Sequence, residues 1–561
     1  MKLRIKRSIL ILAPVLALLV LFLWPLGSKK WAISIDTASQ KVKDTILGRQ
    51  LQAGRWAPRV VVILADDLSI VDTSIYSQSV VSTPHIDSIG HEGVVFTDAN
   101  CTTAICAPSR ASMLTGRYQQ RFGFELQPHD QYARNPLQYL VFRYLIDTDP
   151  MVPIAPSPVP RKRDLSDQGM PADEIMLSEL LQARGYNTAA FGKWHLGYDK
   201  KFSPLEKGFD EHFGFYEAFS IYAPLDDPAV VNTPIDDFSD GHMWNRERKG
   251  ASAIVYNDVV VEEEDYLTFK FAELGAEYIR ENADEPFFLY LPFNAPHTPL
   301  QAPAEYYDRF SHVDDPVRRT YAAMIAAFDD AVGTVLDAID DAGIEESTLV
   351  VFASDNGGVT YLGITDNGPL AGGKFSNFQG GIHVPMMMKY PPLIAPGSIY
   401  DRPVSLMDIF PTIEAISRGP VASDAADALS FAEAKNGPWS PNGRVLDGVN
   451  LLPYVRGEKT SDPHDALFWR SWYNSAVRRG PWKMTVQKSG SPDTEQTDTF
   501  RLYNLDRDPY EKINIAGEYP GLVKELKTLL ENWESGLDPP AWPPVMHFHM
   551  DVWDRRYWFA I

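Results

Sequence analysis

The chain has 561 residues and a formal charge of −22, with 45% hydrophobic and 12% aromatic residues, 43 prolines and only two cysteines. This composition excludes a mostly disordered chain, a disulfide-stapled fold, and general affinity for nucleic acid or long polyanions, which needs basic surface. The length suits one large domain or several ordinary ones, with ample core.

The first thirty residues read as an address. Lys2, Arg4, Lys6 and Arg7 precede an uncharged run over residues 8–27, and Lys29 and Lys30 close it. A basic head before an apolar stretch is the export pattern. Its length is near that of a spanning helix and no Ala-x-Ala site follows, so an uncleaved anchor and a cleaved signal both stay open. The excess of basic residues before the run predicts the N-terminus inside and the body outside, periplasmic or secreted. Residues 31–55 read as a linker or short surface helix.

From residue 59 to about 412, apolar runs alternate with helix-period segments, the pattern of an α/β sheet with helical crossovers. Residues 60–64, 188–191, 287–291 and 349–352 read as buried parallel strands. Residues 174–185 read as a helix with Ile175, Leu177, Leu180 and Leu181 inward and Gly185 as its cap. Residues 318–343 read as a longer one, with Tyr321, Ile325, Phe328, Val332, Leu336 and Ile339 at three- and four-residue steps. Asp329, Asp330, Asp337, Asp340 and Asp341 are expected on its solvated face.

Two stretches, 136–163 and 224–248, read as long inserted loops at a pocket rim. Residues 417–442 read as a linker. Short runs at 466–472, 476–486 and 500–503 predict an antiparallel sheet. A helix bearing Leu522, Leu526, Leu529, Leu530 and Trp533 follows, then an aromatic tail from Pro539 that covers the main domain. The expected fold is a large mixed, mostly parallel sheet flanked by helices, with a smaller C-terminal antiparallel-sheet-plus-helix subdomain. The divisions are 1–30 (signal or anchor), 31–55 (linker), 56–416 (catalytic domain), 417–442 (linker), 443–538 (C-terminal subdomain) and 539–561 (tail).

One feature repeats at the strand ends. Residues 60–64 lead into Asp66-Asp67, 188–191 into Lys193 and His195, 287–291 into His297, and 349–352 into Asp355-Asn356. Open α/β sheets bind ligands outside the carboxyl ends of their strands. Each residue alone has a bland structural reading; four strand ends together do not. Asp66, Asp67 and Asp355 converging would repel by about 4 kcal/mol per pair at 4 Å in an effective dielectric near 20. A bound cation removes that cost. Oxygen donors, with Asn356 adding an amide carbonyl, favour Ca²⁺ or Mg²⁺ over zinc.

Cys106-Ala107-Pro108-Ser109-Arg110 leads into Thr115-Gly116-Arg117. Pro108 suits the first helical position and Gly116 the C-cap, which places Cys106 at a helix N-terminus that favours an anion. A disulfide between Cys101 and Cys106 is the alternative, open outside the cytoplasm.

That cysteine block resembles the signature of the type I, formylglycine-dependent sulfatases, within the alkaline phosphatase superfamily. Further blocks agree: Thr83-Pro84-His85-Ile86-Asp87, Glu92-Gly93-Val94-Val95-Phe96, Gly192-Lys193-Trp194-His195-Leu196-Gly197, Asn294-Ala295-Pro296-His297 and Ser354-Asp355-Asn356-Gly357. So do Gly372-Gly373-Lys374, Gln379-Gly380-Gly381-Ile382 with Val384-Pro385, and Leu502-Tyr503-Asn504-Leu505 with Asp508-Pro509. The resemblance spans roughly residues 59–533; Gln379 departs from it, where the family often has Glu.

The resemblance implies an exported sulfuric ester hydrolase, arylsulfatase-like. Cys106 would be oxidised during export to formylglycine (3-oxoalanine) by a formylglycine-generating enzyme, its hydrate being the nucleophile. Asp66, Asp67, Asp355 and Asn356 would hold Ca²⁺, with an oxygen of the modified Cys106 completing the shell. Arg110 and Lys193 would orient the nucleophile and Lys374 would grip sulfate. His297 would protonate the departing alcohol and His195 would take a proton for sulfate release. Cys101 would stay a free thiol. Rivals are a phosphonate or phosphate diester hydrolase of the same superfamily and a non-catalytic binder of sulfated glycans. The −22 charge would repel long polyanions, so the expected substrate is the end of a sulfated oligosaccharide.

Overall fold

The computed structural model of the protein describes residues 30–48, 57–129, 135–154, 162–417, 446–489, 497–553 and 555–561, with residues 23, 133, 491 and 492 besides. The expected N-terminal signal or anchor and the 417–442 linker therefore lie almost wholly outside the described residues.

A ten-stranded mixed sheet forms the body. In chain order its strands are β1 (Arg59–Ala65), β2 (Val94–Phe96), β3 (Asn187–Lys193), β4 (Glu211–Phe215), β5 (Val255–Tyr256), β6 (Val259–Val260), β7 (Phe287–Pro292), β8 (Thr348–Ser354), β9 (Met386–Lys389) and β10 (Ser398–Tyr400). Across the sheet the order is β10-β2-β9-β8-β1-β7-β3-β4-β5-β6. The central strands β8, β1, β7, β3 and β4 run parallel. Along β1, Val60, Val62 and Leu64 enter one core while Val61, Ile63 and Ala65 enter the other. A β-branched run with both faces covered by helices reads as an unbroken apolar segment, as the sequence does here.

Helices pack around the sheet and its C-terminal neighbour. These are α1 (Thr37–Leu47), α2 (Cys106–Thr115), α3 (Pro136–Tyr144), α4 (Phe238–Arg246), α5 (Leu267–Glu281), α6 (Pro316–Asp341) and α7 (Pro520–Glu534). The expected 318–343 helix is α6; Asp315 caps it at Val317 N and Gly343 follows it with φ +65°. One of its acids is misplaced by the sequence reading. Asp329 is buried and accepts from Ile86 N at 2.8 Å and His85 N at 3.3 Å, capping the short helix Pro84–His91. The 174–185 helix spans only Leu177–Ala183, because Met176 is extended and forms its N-cap, while Glu174 pairs with Arg117 at 2.6 Å.

The described residues of the two stretches read as loops contain secondary structure. The first holds α3 and a strand, Met151–Pro153; the second holds the strand Val230–Asn232 and α4. Proline misled the reading: Pro136 sits in the first turn of α3, where a missing N–H costs nothing. Residues 31–55 contain α1, fastened by buried Lys43 to Glu179 Oε1 at 2.5 Å and to the carbonyls of Ala172 and Glu174.

The C-terminal part has a four-stranded antiparallel sheet, β11 (Leu467–Ser471), β12 (Asn474–Arg479), β13 (Trp482–Gln487) and β14 (Thr499–Asn504), with α7 burying Leu526, Leu530 and Trp533. The run 476–486 thus holds a turn between two strands. The last residues form a hairpin of β15 (Met546–Val552) and β16 (Arg555–Ala560), and β15 pairs with Met151–Pro153. Phe548 of β15 packs edge-on against Tyr361 at 4.9 Å and Phe375 at 5.2 Å.

Candidate active site

The carboxyl ends of β1, β3, β7 and β8 meet in one buried cluster. Asp66 and Asp67 follow β1, and Asp67 has φ +65°, a bend that turns its carboxylate into the cluster. Asp355 N donates to Ala65 O at 3.1 Å, fixing the β8 end against the β1 end. Lys193 is the last residue of β3. The preceding Gly192 has φ +140°, and a Cβ there would stand 2.1 Å from Pro292 O, so only glycine lets β3 and β7 approach.

Helix α2 delivers Cys106 and Arg110. Cys106 is itself the first helical residue and Pro108 the third; Gly116 caps the helix in the left-handed region. Cys101 and Cys106 are both free and buried, so no disulfide joins them. Burial pushes the Cys106 thiol well above its ordinary pKa, despite Lys193 and Lys374 nearby. Its Sγ lies 3.8 Å from Asp67 Oδ1.

Arg110 threads between the acids. Its Nε donates to Asp355 Oδ2 at 2.8 Å, Nη1 donates to Lys193 O at 2.8 Å, and Nη2 lies 3.5 Å from Asp66 Oδ2. Lys193 Nζ reaches Asp66 Oδ2 at 2.5 Å. Burial raises the Asp66 carboxyl, but Lys193, His297, Arg110 and Lys374 together outweigh it and hold the group below the usual carboxylate range. Asp355 goes the other way: burial and the Asp66 charge push it up to about 7.

On the far side, Lys374 Nζ donates to Asp67 Oδ2 at 2.8 Å and lies 3.0 Å from His297 Nε2. Burial and the Lys374 cation lower His297 to about 4. Asn356 Nδ2 donates to Asp67 Oδ1 at 2.7 Å.

Nine of the ten expected site residues are therefore linked by direct contacts: Asp66, Asp67, Cys106, Arg110, Lys193, His297, Asp355, Asn356 and Lys374. His195 is close enough to feel the charges of Lys193, Arg110 and Asp66 but makes no side-chain hydrogen bond to them. It is buried with φ +60°, neither ring nitrogen has a hydrogen-bond partner, and burial with Lys193 and Arg110 holds it well below the ordinary histidine value. Gln379, outside the cluster, donates its backbone N–H to Glu511 at 2.6 Å.

A hard cation fits this donor set. Single ligand atoms of Asp66, Asp67, Cys106 and His297 lie within 4.8 Å of one another. Asp66 Oδ1 and Asn356 Oδ1 are buried with no hydrogen-bond partner, and orphaned oxygens of that kind beside buried carboxylates suit a hard divalent cation.

The sulfatase family model matches residues 58–416. The chain belongs to the sulfatase family. Sulfatases are hydrolases of sulfuric esters, and this chain is one of them. It is 27% identical over 519 residues to arylsulfatase J of Mus musculus, covering 88% of this chain and 78% of that one. To N-acetylgalactosamine-6-sulfatase of Rattus norvegicus it is 28% identical, covering 86% of each chain. The crystal structure of Ps i-CgsB in complex with k-i-k-neocarrahexaose shares the fold with TM-score 0.67 at 27% identity, covering 87% of this sulfatase and 94% of that chain.

Two supporting residues escaped the sequence reading. Asn367 lies in an Asp-Asn-Gly turn, yet its Nδ2 reaches the carbonyls of Gly358 at 3.3 Å, Gly372 at 3.0 Å and Gly380 at 3.0 Å, gathering the loop that carries Lys374. The Asp366-Asn367-Gly368 triplet was the only local signal, and it reads as a turn, which the φ of +52° at Asn367 bears out. The Tyr222 hydroxyl, just before the second insertion, lies 2.5 Å from Asn294 O and 2.7 Å from His297 O and fixes the His297 turn.

Proposed function

We propose that this sulfatase hydrolyses sulfate esters of saccharides outside the cytoplasm, with Cys106 matured to formylglycine and Ca²⁺ held by Asp66, Asp67, Asp355 and Asn356. The observation that carries this reading is the placement of Cys106 at a helix start, 3.8 Å from Asp67 and ringed by Lys193, Arg110 and Lys374. Hydrated formylglycine supplies a hydroxyl nucleophile, and its second hydroxyl allows return to the aldehyde, which a thiol cannot offer. A bound Ca²⁺ supplies Lewis acidity for the sulfuryl oxygens.

The chain's own residues do the rest. Arg110 holds Asp355 and Asp66 in place and adds a fixed positive charge beneath the nucleophile. Lys193 does the same from β3. A sulfuryl group presents only acceptor oxygens, so Lys374, with its three N–H donors, is its natural partner. His297 is neutral in this arrangement, its Nε2 accepting from Lys374. The proton for the departing alcohol therefore comes through the Lys374–His297 pair rather than from a resting imidazolium. His195, neutral and unbonded, is available to accept a proton during sulfate release. The saccharide reading is supported by the names of the relatives, an amino-sugar 6-sulfatase and a protein solved with a neocarrahexaose.

The test is sulfate release from a panel of sulfated sugars, with mass analysis of the peptide containing Cys106. An aldehyde at position 106 with free sulfate as product supports the reading. An intact thiol with no turnover favours the glycan binder, and phosphate release in place of sulfate favours the diester hydrolase.

A further inference from the structure

Helix α3 is unusual for a water-facing surface. None of its residues is buried. Leu137, Leu140 and Tyr144 recur at i, i+3 and i+7, and Leu145 and Ile146 extend the patch, with exposures from 37% to 79%. Five of the eighteen large apolar residues exposed among the described residues fall within these ten positions. Singly scattered apolar residues are ordinary; a contiguous stripe marks an interaction surface.

The helix is linked through α4 to the turn that carries His297. Phe142 meets Phe238, the first residue of α4, edge-on at 5.7 Å. Further along α4, Met243 Sδ accepts from Thr298 Oγ1 at 3.5 Å, and the Thr298 carbonyl lies 2.5 Å from His297 Nδ1. One helix thus separates the apolar stripe from the catalytic histidine.

The first residues of the continuous described fold bear on what covers the stripe. Lys30 Nζ lies 2.6 Å from Asp167 Oδ2, and Ile33 N donates to Asp167 O at 2.9 Å. The next residue, Gln168, accepts from His129 N at 2.8 Å and donates to His129 O at 3.2 Å. His129 and Gln168 form the neck of the insertion that carries α3, and Lys30 sits at that neck. Only three peptide steps separate Lys30 from the uncharged run 8–27, about 10 Å of extended chain. With that run in a bilayer, the neck lies close to the headgroups.

We propose that α3 is an interfacial helix: its Leu137–Leu140–Tyr144 stripe lies in the headgroup region of the membrane that residues 8–27 enter, and it holds the active-site mouth against that surface. The exposed Arg143 beside the stripe suits anionic headgroups. The proposal rests on reading 8–27 as an anchor and not on the chemistry at Cys106.

The two native cysteines are buried, so a cysteine introduced by Leu140→Cys can be labelled alone with a thiol-reactive NBD fluorophore. The full chain is then mixed with vesicles of phosphatidylcholine and phosphatidylglycerol. The expected result is a severalfold rise in emission with a blue shift, quenched by nitroxide-bearing lipid. Adding Leu137→Glu and Tyr144→Glu should abolish that change while turnover of a small soluble ester stays the same. A probe that remains solvent-like on vesicle-bound protein overturns the proposal. So does a blue shift that needs no lipid and grows with protein concentration, which would assign the stripe to a second copy of the chain. Neither readout requires sulfatase activity, so a failure here is distinct from a failure of the proposed reaction.

Discussion

Lys374 and His297 share a single hydrogen bond at 3.0 Å, and its direction is fixed from the other side of the ring. His297 Nδ1 faces the Thr298 carbonyl at 2.5 Å, so Nδ1 carries the proton and Nε2 accepts from the ammonium. In the proposed reaction the pair acts as one acid. Removing His297 should therefore matter in proportion to how badly the leaving alcohol needs a proton. His297→Ala is expected to lower kcat by about 10²–10⁴ on a sugar ester, but far less on an aryl ester whose phenol leaves without help. Equal losses on both esters would show that His297 does not deliver the proton.

Cys106→Ala should remove turnover while leaving the fold intact. The side chain is buried at the start of α2, and its loss leaves only a small cavity, costing about 1–2 kcal/mol. Chemical denaturation and sulfate release measured on one preparation check both halves. Residual turnover above background in this variant would move the nucleophile elsewhere.

The orphaned oxygens of Asp66 and Asn356 predict a cation effect that does not depend on activity. Ca²⁺ at about one hundred times its Kd should raise the unfolding free energy by about 2.7 kcal/mol through mass action. Asn356→Ala should weaken this stabilisation, and Asp66→Asn should nearly abolish it. Thermal melts with calcium and with chelator decide the matter; identical melts would remove the ion from the site.

Asp329 offers a pH signature away from the chemistry. Burial raises its carboxyl from 3.8 to about 6, against the pull of the Ile86 and His85 N–H groups and of His85 itself, with Asp330 adjacent. An acid whose folded pKa lies above its unfolded one contributes stability that is present at low pH and lost as pH rises through the folded value. Asp329→Asn keeps an acceptor for Ile86 N and never ionises. It should match the parent near pH 4 and exceed it by roughly 1–2 kcal/mol above pH 7. A stability difference that is flat across this range would mean Asp329 ionises freely in the fold.

Glu511 and Lys483 form a fully buried ion pair at 2.7 Å, and Glu511 also accepts from Gln379 N beside the Lys374 loop. Breaking a buried pair leaves one charge uncompensated, so Glu511→Ala should cost about 3–5 kcal/mol. Lys483→Met with Glu511→Leu together should cost much less than the single change. Additive losses would mean the pair is not coupled.

Local pattern carried the sheet and most of the cluster. Four apolar runs with acids, amide, lysine or histidine at their ends could only be parallel strands meeting at one edge, since period and placement are properties of short segments. The cysteine block and α2 were readable for the same reason. The readings that failed depended on partners remote in sequence. Asp329 looks like a solvated acid on α6 until the helix Pro84–His91 presents two N–H groups to it. Asn367 looks like a turn residue until three glycine carbonyls converge on it.

The sequence by itself determined that acids, an amide, lysines and histidines stand at the ends of strands that meet, because chemical type and strand-end position are written along the chain. Only the tertiary structure decided that Lys374 donates to His297, that Arg110 reaches two acids at once and that α3 stands exposed. The physical reason is that charge and burial act through space. A pKa or an uncovered face belongs to the neighbours assembled around a side chain, and those neighbours come from segments as far apart as residues 66 and 374.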